Sequence, residues 1–283
     1  MKTLRLALCL ACSLVALPAF AAHKTIIISD SLLANADPLK VKMGNQWMGI
    51  HKWHVGDYAV VSSKLGWTTT STRTNFFKTK TTSHSGNTFA FVLSNNTTDS
   101  AFVTAAHDLM AQSEPGLKLG NGWTMGGTGE IRESESFVVD IIINRDTTET
   151  WTLSMSGTNV TWATTGEVVA RSTHEPVLTH GDRSIGLALA LSTRAAPDGR
   201  PASFMSRIKS QIVPPAMGYE FIEGGHSLCA VQFFNGGLGG ANTYAAWMRR
   251  DTDTRLKLVL AAVMTAVLEM ECAEGGPALP EDQ

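Results

Sequence analysis

Cysteine, net charge and long apolar runs are all scarce in this sequence, and each shortage excludes a class of protein. Four cysteines in 283 residues are too few for a small disulfide-stapled module, so a hydrophobic core must stabilise the fold. A formal net charge of -2 means that the chain lacks the excess positive charge that binds nucleic acid or anionic lipid headgroups. After the first 22 residues, no run is long and apolar enough to span a bilayer. We therefore expect neither nucleic-acid binding nor a transmembrane segment in the mature chain.

The first 22 residues have the organisation of a secretory signal peptide. Lys2 and Arg5 precede an apolar stretch over residues 6–17, and the segment ends in Ala19-Phe20-Ala21-Ala22. A basic start, a short apolar centre and an A-x-A-like end are typical of such leaders. Cleavage after Ala21 or Ala22 removes two positive charges and takes the net charge from -2 to -4. The short leader and the few cysteines indicate a bacterial envelope protein, exported to the periplasm or the extracellular space.

Much of the mature chain alternates apolar and polar residues with a period of two, which is typical of half-buried strands. Residues 136–143 are instead almost continuously apolar and β-branched, which predicts a central strand buried on both faces. Turn signals separate the runs at hairpin spacing, at residues 95–99, 145–146, 156–159 and 180–182. The pattern predicts a mainly β fold, an antiparallel barrel or sandwich. We expect one domain over residues 23–272 and a disordered tail over residues 273–283.

One segment near the end of the chain has a helical pattern. Asp251 and Asp253 are candidate N-caps, and a helix of strong helix formers follows over about residues 253–271. From Leu258 to Leu268 only Thr265 is polar, so the helix must be buried on every side. We therefore predict a hydrophobic C-terminal helix that the sheet encloses.

Residues 244–253 are predicted as a late strand that ends in aspartates, and the apolar helix follows directly after it. With the β-rich body over about residues 56–234, this chain resembles the superfamily of tubby C-terminal domains, phospholipid scramblases and LURP-like proteins. The resemblance implies an antiparallel barrel around a hydrophobic C-terminal helix. Members of that group usually work in the cytoplasm, whereas this chain carries an export signal, and the resemblance transfers no ligand-binding residues.

The mature chain keeps two cysteines, Cys229 and Cys272. In an oxidising compartment two cysteines suggest one disulfide, worth roughly 4 kcal/mol in the chain-entropy model. The alternative is that both are buried free thiols. The sequence leaves both possibilities open.

His107 gives the most specific catalytic hypothesis, because it follows Thr104-Ala105-Ala106 as the general-base histidine of trypsin-like serine proteases does. Asp140 and Ser184 follow in the order of that family and would be the orienting acid and the nucleophile. However, Arg183 intervenes before Ser184, Ile185 follows it, and Asp182 occupies the place of the oxyanion-hole glycine of the Gly-Asp-Ser-Gly-Gly motif. A degenerate exported hydrolase is therefore the alternative hypothesis.

Other motifs are weaker. His51, His54 and Asp57 are spaced three apart and could bind zinc on a helix, but their neighbours indicate a strand. Residues 206–209 match S-x-x-K without its companion motifs. We assign no catalytic, cofactor-binding or metal residues. The leading hypothesis is a non-enzymatic envelope protein with a binding, structural or interaction role, whose unknown partner is an envelope component or a lipid.

Overall fold

The chain forms a closed antiparallel barrel of twelve strands around a C-terminal helix. The barrel closes where the third strand pairs with the fifth, Ala59 lying opposite Ser94. The first and the last strand of the chain are also neighbours, with Ala36 opposite Arg249. This computed structural model describes residues 25–45, 49–75, 80–95, 99–114, 117–118, 124–125, 129–162, 168–192, 216–234 and 243–273.

The strands are numbered in chain order, and the barrel wall runs β3-β2-β1-β15-β14-β13-β12-β11-β10-β9-β6-β5. Strand β4 adds to β5 outside the ring, and β7 and β8 pair only with each other. The bounds are β1 Ala36–Met43, β2 Trp53–Val55, β3 Tyr58–Leu65, β4 Thr69–Thr74, β5 Thr81–Ser94, β6 Ser100–Ser113, β7 Leu117–Lys118, β8 Thr124–Met125, β9 Glu130–Ile143, β10 Thr150–Trp162, β11 Val168–His180, β12 Arg183–Leu191, β13 Met217–Glu223, β14 His226–Phe234 and β15 Ala245–Arg249. The mainly β fold class is confirmed.

Strand β9 shows how period-two alternation directs one face of a strand into the barrel. In β9, Phe137, Val139, Ile141 and Ile143 are buried, whereas the residues between them face outwards and Val138 is 38% exposed. The prediction that residues 136–143 are buried on both faces is therefore wrong. The outward residues Val138 and Ile142 are apolar but not fully covered, since the core lies on one side of a barrel wall.

Helix α2, Thr254–Ala273, occupies the inside of the barrel. Asp253 caps it as expected, because its Oδ1 accepts hydrogen bonds from the backbone N–H groups of Arg255 and Leu256 at 2.8 and 3.2 Å. Every residue from Leu258 to Met270 is buried, and Thr265 donates its hydroxyl proton to the carbonyl of Ala261. The prediction of an enclosed hydrophobic helix is confirmed.

A short segment packs on the outside of the barrel. Helix α1, Asp30–Asn35, places Leu32 beside alanines of β12 and β14 in a second small core. Ser29 donates its backbone N–H to Oε1 of the buried Glu220, and Ile26 donates its own to Oε1 of Gln232. The segment therefore covers the outer face of β12–β14, which the sequence did not predict.

Two boundaries differ from the expectation. Residues 156–159, predicted as a turn, continue through β10, while 180–182 do turn, with φ of 53° at Gly181. The helix extends to Ala273, where a tail was expected to begin. The leader, residues 206–209 and residues 274–283 lie outside the described residues. In the part of the chain that the structure describes, no helix combines the length and apolarity needed to cross a bilayer.

Candidate ligand-binding cleft

The barrel wall splits between β11 and β12 near the end of the barrel where α2 finishes. The ladder between these strands ends at the pair Val177 and Gly186. The next pair would place Pro176 opposite Leu187, and proline has no N–H to donate. An irregular register between Ser154 and Ser156 on β10 marks a bulge at this level of β11, and bulges bend strands away from their neighbours. The two strands therefore diverge here.

The split opens into a cavity of about 370 Å³, here called the mouth cleft. Its floor is apolar and its margin carries two carboxylates and an imidazole. The cleft is lined by Glu135, Phe137, Met155, Ser156, Gly157, His174, Pro176, Leu187, Leu189, Tyr219, Met270 and Glu271. Leu187 is buried, whereas Leu189 is 55% exposed although its side chain lies on the inner face of β12. An exposed leucine inside a concave site is a surface that a ligand could cover.

The cleft continues along a sheet that rises beyond the barrel. Strands β5, β6, β9 and β10 extend past the mouth, and their register aligns Ser85, Leu109, Glu135 and Gly157 in one row on the inner face. A cavity of about 580 Å³ lies on this face and shares Glu135 and Gly157 with the mouth cleft. The two cavities thus form one continuous groove.

A buried carboxylate fixes the end of α2 beside the mouth. Glu269, 3% exposed, accepts three hydrogen bonds on Oε2: from Nε1 of Trp53 at 2.7 Å, from the backbone N–H of His51 at 3.2 Å, and from Nδ1 of His51 at 3.0 Å. Tyr244 packs edge-on against Trp53, with ring centroids 4.9 Å apart. The hydrogen bonds from Trp53 and His51 offset the free-energy cost of burying the Glu269 carboxylate.

His107 lies between Glu269 and the mouth cleft. Its ring is buried against Phe137, and its Nε2 lies 2.9 Å from Oε1 of Glu135 on the neighbouring strand. A small cavity of about 120 Å³ is lined by both His107 and Glu269. Among the described residues, the side-chain oxygen of Asn87, which lies opposite His107 on β5, has no hydrogen-bond partner and is buried there. Polar groups therefore line the margin of an otherwise apolar mouth.

The structure does not bring the predicted protease residues together. His107 faces the barrel interior, whereas Asp140 faces outwards and accepts a 2.7 Å hydrogen bond from the Thr152 hydroxyl. Ser184 is exposed on the outer face of β12, which three strands separate from β6. A triad needs direct contacts between nucleophile, base and acid, and these three residues do not make them.

The predicted metal-ligand candidates are also separated. His51 contacts Glu269, while His54 is exposed on the outer face of β2 and Asp57 lies in the turn that follows. Within the described ranges, no group of three or more His, Cys, Asp or Glu residues could hold a metal ion.

Of the two possibilities that the sequence leaves open for Cys229 and Cys272, a disulfide or free thiols, the structure shows free thiols. Cys229 is fully buried three residues after the start of β14, at the end of the barrel where α2 begins. Cys272 lies at the other end of α2, where its Sγ is 3.7 Å from Sδ of Met43. Burial raises the pKa of Cys229 well above its ordinary value and raises that of Cys272 as well.

Sequence reasoning missed the mouth cleft. The signal that marks it is Pro176, a proline inside a strand pattern, which indicates a strand edge or a bulge. A comparison with models of protein families finds no matching family, and comparisons with curated proteins and with solved structures find no similar protein.

Proposed function

We propose that this is an exported, non-enzymatic binding protein of the bacterial envelope, and that its ligand inserts an apolar group into the mouth cleft. The observation that supports the proposal is the cleft itself, with an apolar floor of Phe137, Met155, Leu187 and Tyr219 and an exposed Leu189 at its opening. Its volume of about 370 Å³ falls within the range of small-molecule sites, about 300–1,000 Å³. Export is supported by the leader-like residues 1–22.

We also propose membership of the tubby, scramblase and LURP-like superfamily. A closed barrel of twelve antiparallel strands around a C-terminal helix supports this assignment at the level of architecture. The proposal carries no ligand from that superfamily to this chain, because fold alone does not determine function.

A neutral apolar fluorophore, N-phenyl-1-naphthylamine, tests whether the cleft binds. We expect saturable fluorescence enhancement with the purified mature chain and its loss in Leu189→Trp, whose larger side chain fills the opening. Val61→Trp is the matched control, since Val61 is 60% exposed on β3 and outside the cleft. Neither residue is in the core, so both variants should fold. Equal binding by the two variants, or no binding by the parent chain, would contradict the proposal.

A further inference from the structure

Among the described residues, nothing pairs with the edge of β12 that borders the mouth cleft. The β11–β12 ladder stops at Gly186, and β12 continues through residues 187–191 with β13 as its ladder neighbour. At the far end, the backbone N–H of Ile27 donates to the carbonyl of Leu191 at 3.0 Å. Among the described residues, no strand pairs with residues 187–190 on the side that faces β11. Unpaired strand edges are templates for another strand.

The charge of the cleft indicates which strand would fit. Glu135 and Glu271 line it together with the imidazole of His174, and Oε1 of Glu135 also lies 2.9 Å from Nε2 of His107. No described side chain that lines the cleft is a lysine or an arginine. The groove beyond adds Glu133 on the same face as Glu135. An occupant with both basic and apolar side chains would complement this surface.

We propose that an extended peptide binds here by pairing with the edge of β12, with an apolar side chain in the cleft and a basic side chain beside Glu135 and Glu271. In a strand, residues i and i+2 point to the same face, so the peptide carries its apolar and basic residues two apart. Main-chain hydrogen bonds supply affinity in such complexes, and pockets for alternate side chains supply specificity. This inference rests on the proposed function, because it names the ligand class of the same cleft.

The test uses the fluorescein-labelled peptide Lys-Thr-Leu-Thr-Lys and fluorescence anisotropy with the mature chain. We expect saturable binding that weakens with salt, and none to Glu-Thr-Leu-Thr-Glu. Alternate amides of an extended strand point to opposite edges, so two methylated peptides are needed, one N-methylated at both threonines and one at the leucine and the last lysine. One of the two should lose binding, because its methyl groups block the edge that pairs with β12. Equal binding of the acidic peptide, or undiminished binding of both methylated peptides, would overturn the inference.

Protein variants locate the peptide. Glu135→Gln and Glu271→Gln should each weaken binding by about two- to fivefold, as expected for exposed ion pairs. Glu175→Gln is the control, because it makes the same charge change on β11 at an exposed residue outside the cleft lining. Leu189→Trp should abolish peptide binding, and equal affinities for all four variants would refute the location.

The naphthylamine experiment separates the two proposals. If the fluorophore binds in a Leu189-dependent manner and neither peptide binds, the cleft is a ligand site but its ligand is not a basic peptide. A single-chain lipid would then be the class to examine. If neither the fluorophore nor a peptide binds, both proposals fail.

Discussion

Nε1 of Trp53 donates a 2.7 Å hydrogen bond to Oε2 of Glu269, and this bond joins the barrel wall to the helix inside it. Both residues are buried, Trp53 fully and Glu269 to all but 3%. The buried indole proton therefore depends on the carboxylate, whose Oε2 also accepts hydrogen bonds from His51.

Trp53→Phe should lower the free energy of unfolding by about 1.5–3 kcal/mol, the range for a hydrogen bond to a charged group. Urea unfolding followed by far-UV circular dichroism measures it. In a double-mutant cycle with Glu269→Leu, the coupling energy should exceed about 1 kcal/mol. A coupling energy below about 0.5 kcal/mol would show that the contact contributes little beyond packing.

Gly218→Ala should destabilise the protein by about 1–3 kcal/mol through overpacking. A Cβ at Gly218 would lie 2.2 Å from the carbonyl oxygen of Val231 and 2.9 Å from Cδ1 of Ile26. Gly186→Ala on the adjacent strand is the control, because its nearest neighbour would be 3.9 Å away. Urea midpoints compare the two variants, and equal stabilities would contradict the close packing of β14 and Ile26 against Gly218.

The predictable part of the fold followed from patterns that do not depend on distant residues. Alternation identified the strands, and the apolar run from Leu258 to Leu268 identified an enclosed helix, since such a surface can only be buried. The turn predicted at residues 156–159 was wrong because pairing with β9 on one side and β11 on the other holds these polar residues in a strand. The cleft could not be predicted in this way, because it forms where β11 and β12 diverge. The alternation within a single strand does not indicate how far that strand stays paired with its neighbour.

The sequence left the state of the two cysteines open for a related reason. Cysteine counts indicate how many thiols could pair but not where α2 would place them. An enclosed helix of 20 residues spans about 30 Å, and it carries Cys272 to the end of the barrel opposite Cys229.

Ellman's reagent tests the thiol assignment. In the native mature chain, Cys272, which is partly exposed, should react, whereas the buried Cys229 should react only after unfolding in urea. Because burial raises the pKa of Cys272, its reaction should keep accelerating as the pH rises above about 8.5, the ordinary value for a thiol. Absence of reactive thiols in the unfolded, unreduced chain would instead show a disulfide.

The ion pair between Arg183 and Glu223 should make the free energy of unfolding depend on pH. Two hydrogen bonds from the guanidinium lower the pKa of Glu223, so the pair stabilises the fold above the unfolded pKa of about 4.3 and loses this effect as the pH falls through the lowered value. Arg183→Met should therefore cost at most about 1 kcal/mol at pH 7, since the pair is partly exposed, and progressively less in acid.

Urea unfolding between pH 2 and pH 7 measures this difference. Arg73→Met is the control, because Arg73 is exposed on β4 and has no carboxylate partner among the described residues. A difference between Arg183→Met and the parent chain that stays constant with pH would rule out the ion pair as its source.

The position of α2 at the end of the chain determines the order in which the molecule can assemble. The strands of the barrel wall are synthesised before the helix that the barrel encloses. Strand β1 cannot pair with β15, its neighbour in the wall, until almost the whole chain has been synthesised. Such long-range pairings make folding slow. Until the last segment emerges, the inward faces of the strands have no core to cover, so the incomplete chain exposes its apolar side chains to other chains and depends on protection from aggregation.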